Sequence, residues 1–119
     1  MSELIAAGTD VTTDPSGTVI KTDKYPYYAL VIQAVWTIGD AADAKMYVES
    51  TLDDTNWDSE QLIESGTIVN FLTLDMTSAG SVTTKVTSTG KLRVRIDSGS
   101  NTTGTIGVKT YIRNLQDTQ

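Results

Sequence analysis

The chain has 119 residues, which is enough for one domain with a buried core. Nine basic and fifteen acidic residues leave a net charge of −6, which disfavours binding to nucleic acid or to anionic lipid. Cysteine and histidine are absent, which excludes disulfides, thiolate metal sites, thiol nucleophiles and the commonest general base.

The first residues, MSELIAAGTD, contain neither a basic segment nor an apolar stretch of signal-peptide length. The longest aliphatic run, Ala29–Ile32, is far too short to cross a membrane. We therefore expect a protein made in the cytoplasm, with no signal peptide and no membrane partner. Residues 1–16 are polar, and we predict that they form a flexible N-terminal arm, with at most a short edge strand near Val11.

The strongest strand signal lies at residues 28–38. Leu30, Ile32, Ala34 and Trp36 fall on one face at a period of two, and the opposite face is also rather apolar. This pattern indicates a strand that is central in its sheet or covered on both sides.

Further alternating segments follow along the chain. Residues 44–52 alternate with Leu52 on the predicted inner face, and residues 67–75 indicate another strand. A Thr-rich segment, 81–87, suits a sheet edge. Residues 91–97 and 106–113 alternate apolar and mostly polar or charged side chains on either side of SGSNTTG, a loop of hairpin length.

With a further short strand predicted at 17–22 and the edge strand near Val11, these segments give seven or eight strands and no helix. Thirty serine and threonine residues agree with strands joined by turns. The sequence therefore predicts an all-β, single-domain antiparallel β-sandwich of jelly-roll or immunoglobulin-like type. The domain is expected to span 17–115, preceded by the arm and followed by a polar tail, 116–119.

The acidic segment DDTNWD, 53–58, could be a metal loop, a catalytic acid cluster or a turn. The ligand spacing, central glycine and distant glutamate of an EF-hand are missing. Aspartate and asparagine side chains commonly bond their own backbone in turns. We therefore predict an Asx-rich turn at Asp53 and Asn56, with Trp57 folding back to anchor the turn to the core. No catalytic, cofactor-binding or metal-binding residue is assigned.

Charge is segregated along the chain. Residues 40–64 contain eight acids and one base, whereas residues 91–113 contain five bases and one acid. If 91–113 is a hairpin, its outer face combines Lys91, Arg93, Arg95, Lys109, Tyr111 and Arg113. This could be an ordinary solvated face. The sharper hypothesis is a docking face for the acidic 53–64 segment of a sister subunit or for an acidic partner.

The stretch ALVIQAVWTIGDAADAKMYVESTLDDTNWDSEQL resembles a recurring pattern in small tailed-phage virion structural proteins. In that pattern a long apolar strand and an alternating strand lead into a tryptophan turn. The matching turn residues are Ser50, Leu52, Asp53, Asp54, Thr55, Asn56 and Trp57, with Asp54 where glycine is usual. The segment KLRVRIDSGSNTTGTIGVKTYIR is similar to the C-terminal hairpin of the same proteins.

The resemblance implies a non-enzymatic bacteriophage virion component with no cofactor. Most concretely, it implies a capsid decoration or cement protein that binds the major capsid protein as a homo-oligomer, with a trimer favoured. The alternative is a carbohydrate-binding or adhesin module of a tail fibre or baseplate, which predicts an exposed tyrosine or tryptophan beside a cleft. A small hydrolase, the third hypothesis, predicts a carboxyl group with a strongly raised pKa in a pocket.

Overall fold

The structure, a computed structural model, describes residues 2–17, 19–21, 28–86 and 91–114. Over these ranges the chain forms eleven strands and one short 3₁₀ helix, Val11–Thr13, and no α-helix. No helix in the described ranges is long and apolar enough to span a membrane. The strands are β1 (Ser2–Asp10), β2 (Ile20–Lys21), β3 (Tyr28–Trp36), β4 (Ala44–Thr51), β5 (Asp58–Ser59), β6 (Leu62–Glu64), β7 (Thr67–Val69), β8 (Leu72–Leu74), β9 (Gly80–Val86), β10 (Lys91–Asp97) and β11 (Thr105–Asn114).

Two antiparallel sheets pack face to face. Sheet A has the order β1-β11-β3-β9. Sheet B has the order β2-β10-β4, and β5 and β8 both pair with the remaining edge of β4. A separate hairpin, β6–β7, turns through Ser65 and Gly66, whose φ angles of 51° and 81° suit a two-residue hairpin turn.

The strand pairing defines the fold type. The first strand pairs with the last, β2 with β10, β3 with β9, and β4 with β5 and β8. This wrapping of one half of the chain against the other is the order of a jelly roll. The predicted single-domain antiparallel β-sandwich is confirmed, and its strand order matches the jelly-roll type.

The core lies between the two sheets and follows the predicted alternation. Leu30, Ile32, Ala34 and Trp36 of β3 are all buried. They belong to one apolar cluster with the inward residues of β4, β8, β10 and β11. β3 is also central in its sheet, as predicted.

Trp36 closes one end of this core. Its Nε1 donates to the carbonyl oxygens of Asp75 and Ser78, at 3.1 and 3.0 Å. Its ring packs over Gly80, where a Cβ would come within 3.0 Å of the indole. The indole therefore meets its hydrogen-bonding needs inside the core.

Asn101 joins the two loops at one end of the sandwich. Its side chain is buried; its Oδ1 accepts from the backbone N–H groups of Asp40 and Ala41, at 3.0 and 2.9 Å, and its Nδ2 donates to Ser98 O at 2.8 Å. The flanking Thr102 bonds the carboxylate of Asp40. The β3–β4 and β10–β11 loops are thus fixed to each other by side chains rather than by strand pairing.

The predicted N-terminal arm is wrong for the described residues. Ser2–Asp10 is an edge strand of sheet A, and Leu4, Ile5 and Val11 are buried. Two register shifts interrupt its pairing with β11, so adjacent residues Leu4 and Ile5 both reach the core. These irregularities remove the alternation that would have revealed the strand. The predicted tail, 116–119, lies outside the described residues.

Two strand predictions also needed correction. Residues 67–75 form two short strands, β7 and β8, which pair with different partners. Leu52 was placed on an inner face, but β4 ends at Thr51 and the Leu52 side chain is 90% exposed. The predicted edge strand at 81–87 is confirmed as β9, up to Val86.

Candidate functional site

The acidic loop after β4 is an Asx turn, as predicted. Oδ1 of Asp53 accepts from the backbone N–H groups of Thr55 and Asn56, at 2.9 and 2.8 Å, and from the hydroxyl of Thr51. Its Oδ2 accepts from Nδ2 of Asn56 at 2.7 Å. Asp54 has a φ of 65°, a conformation that aspartate tolerates in turns.

These hydrogen bonds determine the electrostatics of Asp53. The backbone N–H groups of Asn56 and Thr55, with the Asn56 side chain, hold the pKa of the Asp53 carboxyl well below its ordinary range. Both of its oxygens are engaged by donors of its own turn. Among the described residues, no group of three or more acidic side chains lies close enough together to hold a metal ion.

Other aspartates behave in the same way. The pKa is lowered from its ordinary value at Asp10, Asp14, Asp40, Asp43 and Asp75, in each case chiefly by hydrogen bonds from a nearby serine or threonine. A general acid needs the opposite shift. These carboxylates hold loops in place, which is a structural role.

Trp57 lies outside the core, contrary to the prediction that it anchors the turn there. Its ring is half-buried, and Cζ of Arg93 lies 4.1 Å from the ring centroid. Arg93 is on the outer face of sheet B, because Leu92 and Val94 on either side of it point into the core. The indole therefore rests on a guanidinium of the sheet surface.

A paired charge ribbon covers the outer face of sheet B. Glu49 is 7% exposed and lies between two arginines, with its Oε1 2.9 Å from Nε of Arg93 and its Oε2 3.3 Å from Nε of Arg95. Arg95 also covers the ring of Tyr47 at 4.1 Å. At the margin, Nζ of Lys91 lies 2.6 Å from Oδ1 of Asp54.

The aromatic side of the ribbon continues to Phe71, in the connection between β7 and β8. The ring of Tyr47 lies 5.5 Å from that of Phe71, which in turn lies 5.0 Å from Nζ of Lys45. Along this face of the sheet, arginine side chains thus stack on aromatic rings and form ion pairs with an acidic group. The basic residues of β10 neutralise acids of their own chain, and the acidic loop supplies one of those acids.

The predicted docking face does not exist as one surface. β10 and β11 lie in different sheets, so 91–113 is not a hairpin. Lys91, Arg93 and Arg95 belong to sheet B, whereas Lys109 and Tyr111 lie on the outer face of sheet A. Arg113 pairs with Ala29 through the backbone, and its side chain lies outside the described residues.

The outer face of sheet A has a different character. Val35 and Tyr111 are 50% and 56% exposed, and Val31 is half-buried between Tyr111 and Lys85 in the sheet register. No described element covers this face. The charged side chains described on this face are Glu3 and, at one end, Asp10 on β1, Lys109 on β11 and Lys85 on β9, all exposed.

Two shallow depressions mark this surface and meet at Gln33 and Lys109. One, of about 260 Å³, includes Ala7, Val35 and Gly107. The other, of about 220 Å³, includes Val31, Thr83 and Tyr111. We call this surface, defined by Val31, Gln33, Val35, Lys109 and Tyr111, the sheet A platform.

The sequence contains one signal for the platform, the second apolar face of residues 28–38. β3 is central in its sheet, as that pattern predicts, and the face that carries Val31 and Val35 is open. The sequence did not indicate the contacts of Glu49 with Arg93 and Arg95, since only the cross-strand register places Glu49 beside these residues.

Comparison of the chain with models of known protein families, with curated proteins and with solved structures finds no match.

Proposed function

We propose that this chain is a non-enzymatic structural component of a bacteriophage virion, most concretely a capsid decoration or cement protein, and that the sheet A platform is its docking surface. The observation that carries the proposal is the contrast between the two outer faces. On sheet B, Arg93 and Arg95 are paired with Glu49 and Lys91 with Asp54, whereas the platform exposes Val35 and Tyr111. A sheet face with apolar and aromatic side chains and few charges suits a protein interface.

The charges on and beside the platform indicate which kind of partner surface it would bind. Lys109 lies within the platform and Lys85 lies beside it, while the chain as a whole is acidic. Glu3 lies opposite Lys109 in the strand register, whereas Lys85 lies at the margin of the platform. Such a surface favours a partner that is apolar at the centre of the contact and acidic beside Lys85. On a shell, many copies would bind repeated sites of the major capsid protein, and oligomerisation would multiply a weak single contact through avidity.

Two further arguments support a virion role. The tryptophan-turn segment resembles that of small tailed-phage structural proteins, whereas 91–113, which resembles their C-terminal hairpin in sequence, does not form a hairpin here. Jelly rolls are found in viral capsid and lectin domains, although a fold alone does not determine function. The same fold argument keeps the second candidate open.

The second candidate is a carbohydrate-binding module of a tail fibre or baseplate. Tyr111 is exposed beside the smaller depression, which also offers the amide of Gln33 and the hydroxyl of Thr83. An aromatic ring with neighbouring amide and hydroxyl groups can stack on a sugar and bond its hydroxyls. A glycan array tests this candidate, with a signal that Tyr111→Ala abolishes.

Co-sedimentation tests the main proposal. The purified protein is mixed with empty shells of the major capsid protein encoded in the same genome, and its Val35→Glu variant is compared with Leu52→Glu. Both variants replace an exposed apolar residue by the same acid, but Leu52 lies on the β4–β5 loop, away from the platform. We expect saturable binding that Val35→Glu weakens at least tenfold and Leu52→Glu leaves unchanged. No shell binding by the unmodified protein, or equal losses in the two variants, would overturn the proposal.

A further inference from the structure

The edges of the two sheets are protected unequally. β1 is interrupted by two register shifts, β2 has two residues, and the far side of β4 is closed by the short strands β5 and β8. Bulges and short strands are devices by which proteins avoid edge-to-edge pairing. β9 has neither: seven residues pair with β3 in unbroken register, and no second described strand pairs with it.

A groove runs along the open edge of β9. It has a volume of about 290 Å³ and is lined by Ile63, Thr83, Thr84 and Lys85. Thr84 faces the core, whereas Thr83 and Lys85 face outward. A groove that touches side chains of both faces must lie at the strand edge, since each face alone shows only alternate residues.

Ile63 forms the apolar part of the groove lining. It and its cross-strand partner in the β6–β7 hairpin, Ile68, are 61% and 62% exposed. The hairpin lies beside β9. A strand added to β9 would satisfy the open backbone groups of the edge and cover Ile63 at the same time.

We propose that the occupant is β9 of a second copy, so that two sheets A join edge to edge into one eight-stranded sheet around a two-fold axis at Thr83. This deepens the proposed function, because it rests on the homo-oligomer expected there. It goes further by naming the contact and the stoichiometry, which is a dimer rather than the trimer that the resemblance favours.

The sequence of β9 fits this register. Thr83 would face Thr83 of the second copy, Val82 would face Thr84, and Ser81 would face Lys85. Threonine pairs opposite each other stabilise antiparallel strands. The two Lys85 side chains would lie about 14 Å apart along the strand direction, by the rise of about 3.4 Å per residue, which exceeds the screening length of about 10 Å. The contact uses both open edges and is therefore closed at two copies.

Disulfide trapping tests the register, since the chain has no cysteine of its own. Thr83→Cys would bring two sulfur-bearing residues directly opposite each other, within the separation of about 4.5–5.5 Å found for paired Cα atoms. Ser81→Cys would place them about 14 Å apart, too far for a disulfide. Ala6→Cys, exposed on β1 at the opposite edge of the same sheet, controls for random collision.

We expect mild oxidation to convert Thr83→Cys into a dimer at least tenfold faster than either Ser81→Cys or Ala6→Cys. The double variant Ser81→Cys/Lys85→Cys should also cross-link. Equal rates for Thr83→Cys and Ala6→Cys would overturn the proposal. Circular dichroism of the reduced variants checks that each is folded.

Sedimentation of the unmodified protein gives an independent measurement. The mass should rise from monomer to dimer between about 1 and 500 µM, and Thr83→Lys should raise the dissociation constant at least tenfold while Ala6→Lys leaves it unchanged. A monomer over the whole range, or a trimer, would contradict two-fold pairing. No shell is present in these experiments, so the result is separate from the shell-binding test.

Discussion

Nε of Arg93 lies 2.9 Å from Oε1 of Glu49, and this contact explains why the basic strand β10 is not an open cationic surface. The same carboxylate also contacts Arg95, so one nearly buried acid bridges two arginines on one sheet face. Basic residues of β10 therefore form ion pairs with acids of the same chain. The surface that exposes apolar side chains is the sheet A platform instead.

Glu49→Gln should destabilise the fold by about 1.5 kcal/mol, because it removes the charge shared by the two arginines; both remain partly exposed, which limits the loss. Urea unfolding followed by tryptophan fluorescence measures it. Asp58→Asn, a similar change at an exposed acid of β5, should stay within about 0.5 kcal/mol. Equal effects of the two changes would show that the contacts of Glu49 with Arg93 and Arg95 make no special contribution to stability.

Asp53 should make stability depend on pH in the acid range. Its pKa is lower in the folded chain than the ordinary 3.8, so the ionised carboxylate favours folding. That contribution is fully present above the unfolded pKa and disappears as the pH falls toward the folded pKa. The difference in Tm between the unmodified protein and Asp53→Asn should be largest near pH 6 and should shrink below pH 4. A difference that does not change with pH would refute the assignment.

Asn101→Ala should cost roughly 1–3 kcal/mol, since it removes a buried side chain and leaves the partly buried backbone N–H groups of Asp40 and Ala41 without their acceptor. Thermal unfolding measures the loss. Thr103→Ala, in the same loop but exposed, is the matched control and should change little. Hydrogen exchange at the backbone amides of Asp40 and Ala41 should accelerate in Asn101→Ala. Unchanged exchange there would contradict the role of Asn101 in fixing the two loops to each other.

Leu4→Ala should cost about 2–4 kcal/mol, as for a buried leucine. A flexible arm at 1–16 predicts no effect. Denaturant unfolding therefore distinguishes an integral edge strand from an arm, with Glu3→Ala, at the exposed neighbouring position, as the control.

The elements that could be predicted from sequence are those with local, regular patterns. The alternation of Leu30, Ile32, Ala34 and Trp36 determines a strand and its core face, and the chemistry of Asp53 and Asn56 determines a turn. β1 escaped prediction because its register shifts put Leu4 and Ile5 on the same side.

The candidate site was less predictable because it depends on non-local contacts. A loop such as SGSNTTG can close a hairpin or cross between sheets, and which it does depends on the distant strands that its flanking segments pair with, β4 for β10 and β1 and β3 for β11. The position of Trp57 is set by Arg93, which lies on a strand that the sequence does not show to be its neighbour. The platform emerges only when β3 and β11 are known to be adjacent.

The most direct test of the proposed virion role is a residue-resolution reconstruction of particles from the proposed phage source. The account predicts that the protein is present on the shell and that the platform residues Val35, Lys109 and Tyr111 contact the major capsid protein, while the Glu49 ribbon faces away. A particle without the protein, or a protein that contacts the shell through the outer face of sheet B, would contradict it.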